Sequence, residues 1–128
     1  MQKGIKTLFK DRLIFIALGI TFVIGYLSLK KVGNIPVQIS HADKIYHAIA
    51  YFFLGVTWLL SAPKSLTNKK LKYAIVCGCI IYGIIIEVLQ GTLTTYRTAS
   101  VLDVAANFVG VIIAMLLFKQ IYKKIIAI

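Results

Sequence analysis

Acidic residues are scarce, with four Asp and Glu against fifteen Lys and Arg in 128 residues. Proline is rarer still, and Pro36 and Pro63 both fall in loops or at a helix end. A transporter whose midplane site is marked by a Gly/Pro-broken helix is therefore disfavoured. The chain has no H-E-x-x-H pattern, no close pair of histidines and no activated serine or cysteine near a base, so the usual signatures of hydrolytic chemistry are missing. Extended RNA- or DNA-binding patterns are missing too. The net charge of +11 is consequently not a nucleic-acid footprint. Cys77 and Cys79, two apart on a helix, point to different faces and do not suit a disulfide with each other. They read as small apolar fillers.

Apolar residues are plentiful, at 59% of the chain, and the mean hydropathy is +0.86. That is too greasy for a soluble domain. Apolar runs at Leu13–Leu29, Ile45–Ala62, Tyr73–Leu93 and Val101–Phe118 predict four transmembrane helices. At about 1.5 Å per residue, runs of this length come near the minimum for crossing roughly 30 Å of hydrocarbon, with lysines snorkelling at the ends. The basic N-terminus followed by an apolar core has the look of a secretory signal. Yet the core continues to Leu29 without a cleavage pattern, and Lys30-Lys31 reads as the edge of a retained span. The expectation is an all-α, four-transmembrane-helix bundle forming a single domain over residues 1–128.

Orientation follows from where the basic residues fall. The N-terminal segment, the second loop (Lys64, Lys69, Lys70, Lys72) and the C-terminal tail hold eleven; the other two loops hold Lys30, Lys31, Lys44 and Arg97. The positive-inside rule then puts both termini in the cytoplasm. Anionic lipid headgroups are the partner this charge predicts.

Against this apolar background the polar residues stand out. Helix 2 opens Ser40-His41-Ala42-Asp43, a capping-box pattern, with His47 one turn deeper than Asp43 and Tyr51 one turn deeper again. Helix 4 opens Ser100-Val101-Leu102-Asp103, with Asn107 where His47 stood. The shared S-x-x-D-x-x-x-[H/N] pattern hints that helices 1–2 and 3–4 are parallel repeats. Glu87 lies on helix 3, roughly 21 Å from Tyr73. A carboxylate at mid-bilayer costs about 2.5 to 3.5 kcal/mol, so Glu87 must look into the bundle. Cys79, Gly83 and Gln90 share its face. On helix 4, Asp103, Ala106, Asn107, Gly110 and Ala114 line a comparable small and polar face, and the two faces are expected to meet. Helix 1 carries Gly19, Thr21, Gly25 and Ser28 as a packing side. Combined with the orientation, Asp43, Lys44, His47, Glu87, Gln90, Arg97, Asp103 and Asn107 gather in the outer third of the protein. A structural role, with Glu87 neutralised by Arg97 or Lys44 and the amides joining helices, stands beside a functional one, a polar pocket open to the outer leaflet.

At these residues the chain resembles the VanZ-like family. The resemblance rests on Asp43-Lys44-x-x-His47 with Tyr51 following, on Glu87-x-x-Gln90, and on Arg97 leading to Asp103, Asn107 and Gly110; Ala48 stands where an aromatic is expected. It implies a small polytopic protein of the bacterial plasma membrane, linked to lower susceptibility to lipid-tailed glycopeptides such as teicoplanin. Two functions fit. In the first, the outer pocket binds an amphiphile such as a lipid-linked cell-wall precursor or a lipoglycopeptide. Lys44 and Arg97 then face an anionic headgroup, and Glu87, His47 and Asn107 supply hydrogen bonds. In the second, a hydrolase or transferase uses Glu87 or His47 as general base on a lipid-linked phosphate, with Arg97 stabilising it. Glu87, His47 and Asp103 have the chemistry of metal ligands, but no metal or cofactor is expected. Membrane lipids are the expected partners, and association with further copies of the chain stays open.

Overall fold

In the computed structural model, the backbone is described for residues 2–29, 40–93 and 101–127, and side chains for 12–28, 44–62, 64–92 and 101–125. Four long helices account for nearly all of this: α1 (Gln2–Leu29), α2 (Ser40–Ser61), α3 (Lys69–Leu93) and α4 (Val101–Ala127). A short 3-10 turn over Pro63–Leu66 joins α2 to α3, with proline in its first turn, where a missing N–H costs nothing. Asn68 caps α3 by accepting the Leu71 N–H at 3.2 Å. Asp103 in the first turn of α4 and Lys124 in its last both suit the helix dipole.

α1, α3 and α4 overrun their apolar stretches at the lysine-rich end, whereas α2 stops at Ser61. α3 starts at Lys69 and not Tyr73, and α4 continues past Phe118 to Ala127. Lysine is a good helix former, so nothing local stops the backbone hydrogen bonds where the apolar run ends. α3 over Lys69–Thr92 and α4 over Val101–Ile125 are long and apolar enough to cross a membrane, and α1 adds a shorter apolar stretch, Arg12–Ser28. The surface agrees with this. Phe15 and Phe22 on α1 are 73% and 76% exposed, and α2, α3 and α4 turn out Ile45 and Phe53, Ile81 and Ile85, and Leu102 and Leu116, while Glu87, Gln90, Asp103 and Asn107 are buried. That is the reverse of the partition water imposes.

The α2/α4 pair has the most extensive contact, and it runs parallel and in register. Lys44 meets Asp103 at an offset of 59 residues and His47 meets Asn107 at 60. The S-x-x-D-x-x-x-[H/N] pattern recurs at the same offset, which is what parallel repeats facing each other require. The crossing is close because Gly110 has no side chain: a Cβ there would lie 2.1 Å from the Ala48 carbonyl oxygen and 2.9 Å from the Phe52 nitrogen. One turn on, Ala114 sits against Gly55. The small face of helix 4 thus meets α2 most extensively, and it also meets the α3 face as expected, with Gly83 beside Asn107. A small-residue face favours whichever helix can come nearest, and α2 offers Ala48 and Gly55 at the right spacing.

α1 packs against α2 and α3. Side-chain bonds between described residues hold it, among them Trp58 Nε1 to Thr21 Oγ1 at 2.9 Å, Tyr82 OH to the Thr21 carbonyl, and Gln90 Nε2 to the Ser28 carbonyl at 2.8 Å. Gly25 faces Tyr82, whereas Gly19 looks into open space and is no part of the packing side.

These contacts predict opposite outcomes for two glycines. Gly110→Val, forced against the α2 backbone, should destabilise the purified protein by about 3 kcal/mol or more. Gly19→Ala should be neutral or stabilising by up to about 1 kcal/mol. Thermal unfolding in detergent reads both, and equal melting of Gly110→Val and wild type would refute the close crossing.

Candidate functional site

Where α2 and α4 begin, their register stacks polar side chains at successive turns. Lys44 Nζ donates to Asp103 Oδ1 at 3.4 Å, and the other carboxylate oxygen, Oδ2, lies 3.8 Å from His47 Nε2. The opposite ring nitrogen, His47 Nδ1, is 3.1 Å from Asn107 Oδ1. Both ring nitrogens of His47 therefore face oxygen atoms, Nδ1 the Asn107 amide and Nε2 the Asp103 carboxylate. The result is a continuous string, Lys44–Asp103–His47–Asn107, that grows more buried along its length. Lys44 has 27% of its side chain exposed and His47 has 13%; Asn107 is buried.

Tyr51 follows one turn below His47 and is buried, with its ring tilted against Tyr82 at 6.4 Å between centroids. Gly83 makes room for it: a Cβ there would stand 3.0 Å from Tyr51 Cε2 and 3.2 Å from Asn107 Nδ2. Since α3 runs opposite to α2 and α4, Glu87, one turn past Gly83, is carried towards the Lys44–Asn107 string. Glu87 is 2% exposed and within electrostatic range of Tyr51. It faces the interior, as the cost of a lipid-facing carboxylate demands.

The other expected residues divide. Gln90 is buried, but the amide N–H it gives to Ser28 is a helix-joining bond to α1. Asp43 lies in the first turn of α2, with its side chain outside the described residues, and Arg97 and Ser100 lie outside them altogether. Among the described residues, no three His, Cys, Asp or Glu side chains gather where they could hold a metal ion.

One feature was not legible in the sequence. A lateral groove of about 160 Å³ separates α1 from α2, lined by Ile24 and Ser28 on one wall and Tyr46, His47, Ala50 and Tyr51 on the other. The sole sequence signal was Ser28 in the last turn of an otherwise apolar helix, and it reads equally well as packing. The groove brings one edge of the polar string, His47, to an apolar side opening.

A helical bundle with an apolar exterior and with carboxylates and amides turned inward at one end has the build of a small membrane protein. The chain belongs to the VanZ/LLP1 family, whose model matches residues 5–124. No curated protein and no solved structure gives a significant match.

The His47–Asn107 bond can be measured. A double-mutant cycle with His47→Leu and Asn107→Leu should give a coupling of about 0.6 kcal/mol in unfolding free energy and no more than about 1.7, the mean and the maximum found for side-chain bonds inside a membrane protein. Strictly additive effects would mean that the two side chains do not interact.

Proposed function

We propose that this chain spans the bacterial plasma membrane four times with both termini in the cytoplasm, and that the polar string faces the outer leaflet and binds an amphiphile. The headgroup faces Lys44 and Arg97 and forms hydrogen bonds with Glu87, His47 and Asn107, and the tail leaves through the groove between α1 and α2. In the native setting the ligand is a lipid-linked cell-wall intermediate or the acyl-bearing part of a lipoglycopeptide, and the outcome is lower susceptibility to teicoplanin-type drugs. Family membership supports the link to glycopeptides. The observation that carries the binding reading is the groove itself, which sets His47 at the edge of apolar walls contributed by Ile24, Tyr46 and Ala50. Orientation rests on the lysine distribution.

A second reading draws on the His47–Asp103 approach at 3.8 Å. A carboxylate beside an imidazole is a means of orienting a general base, so hydrolysis or transfer on a lipid-linked phosphate is the competing function. Multiple turnover of such a phosphate by purified protein would decide for it.

The test is teicoplanin and vancomycin susceptibility in a Gram-positive host expressing wild type or Glu87→Gln at matched membrane levels. Teicoplanin carries an acyl tail and vancomycin does not, so the binding reading expects wild type to blunt teicoplanin alone and Glu87→Gln to abolish the effect. Unchanged susceptibility to both drugs, with abundant folded protein, would separate the family fold from this task.

A further inference from the structure

A second groove lies deeper in the bundle, among α1, α2 and α3, away from the polar string. It has a volume of about 290 Å³, with Thr21, Trp58, Ile75, Gly78 and Tyr82 among its walls and the buried Leu54 beneath. Its polar atoms are engaged with one another. Trp58 Nε1 donates to Thr21 Oγ1, that hydroxyl donates to the Ala17 carbonyl at 2.7 Å, and Tyr82 OH donates to the Thr21 carbonyl. What the groove offers an occupant is apolar surface. It is also open, because Gly78 is exposed and a Cβ there would meet nothing within 4 Å.

The groove has a charged mouth. Along α3, Lys72, Ile75, Cys79 and Tyr82 follow at spacings of three and four residues and share one face, so Lys72 stands one turn beyond the last groove residue. Lys72 is half-buried, with its Nζ 5.3 Å over the Tyr73 ring, and Lys69 and Lys70 are exposed beside it. The sequence from Ala62 to Tyr73 contains four lysines and no acidic residue. An apolar groove that leads to lysines with no acidic neighbour in sequence complements an acyl tail joined to a negative headgroup. Basic pockets between helices at the cytoplasmic face recognise such lipids.

We infer that this groove is a binding site for one anionic phospholipid of the leaflet at the lysine-rich end, with the phosphate at Lys72 and one acyl chain lying between Trp58 and Gly78. It is separate from the amphiphile site at the other end, and it rests on the membrane-spanning reading above.

Trp58 is the chain's one tryptophan, so its fluorescence reports the groove directly. Full-length protein is reconstituted in phosphatidylcholine vesicles carrying a minor fraction of either phosphatidylglycerol or phosphatidylcholine with brominated acyl chains, which quench tryptophan on contact. Wild type should be quenched by the brominated phosphatidylglycerol with about five-fold higher effective affinity, the ratio that corresponds to roughly 1 kcal/mol per lysine near a membrane surface. Lys72→Gln should remove that preference. Gly78→Phe, which fills the groove from an open position, should reduce quenching by both lipids. Equal quenching by the two lipids in wild type would overturn the site, and so would undiminished quenching in Gly78→Phe. If vesicles made wholly of brominated lipid leave Trp58 unquenched, the membrane-spanning reading itself falls, and the site with it.

Discussion

The approach of α4 to α2 at Gly110 is the contact on which the polar end depends. The Ala48 carbonyl occupies the space a side chain at Gly110 would need, and Ala114 settles on Gly55 a turn later. Only at that separation do short side chains reach across. Asp103 and Asn107 are each one methylene shorter than Glu or Gln, and they bond to Lys44 and His47 at 3.4 and 3.1 Å because the backbones are already close. A crossing wider by one methyl group weakens both bonds, and a buried group such as Asn107 left short of a partner costs about 1 to 3 kcal/mol. Close packing of small residues and burial of the charged string are thus one constraint seen from two sides.

The rest of the bundle is assembled differently. Lipid tails are as apolar as leucine, so burial of apolar surface does little to draw one membrane helix to another, and shape and hydrogen bonds must choose the partners. α2 and α4 use shape. α1 is held by Trp58, Tyr82 and Gln90, long side chains that bond Thr21 and Ser28 across a gap. Both lateral grooves have α1 for a wall, and this is the reason: pins of that length hold a helix in place without closing the space beside it.

Much of this was legible in the sequence. The apolar runs predicted four helices, and the expense of a carboxylate in hydrocarbon required Glu87 to face inward, as it does at 2% exposure. The placement of Asp103 and Asn107 one turn apart, matching Asp43 and His47, carried the parallel register of α2 and α4. Less legible was that α2, in addition to α3, receives the small face of α4, and over the larger contact. Gly110 and Ala114 announce that some helix comes close, and the identity of that helix depends on Ala48 and Gly55, which look unremarkable among apolar neighbours. Gly19 shows the converse, a glycine at the expected spacing that meets nothing. The grooves were beyond reach, since a groove is a property of the gap between helices and of no residue in particular.

The two ends of the molecule differ in how they treat charge. At the end where α2 and α4 begin, Lys44 is met by Asp103, so the pair offers an approaching group little net field, and recognition there depends on hydrogen bonds placed in a low-dielectric setting. At the other end, the lysines of the α2–α3 turn and of the last turns of α4 have no acidic neighbour in sequence, and their attraction for anions is long in range and weakened by salt. A ligand at the first end is selected for shape and donor pattern, whereas one at the second is selected for sign. If both proposed sites bind lipid, this difference in charge alone separates their ligands, and neither site has to discriminate against the other's.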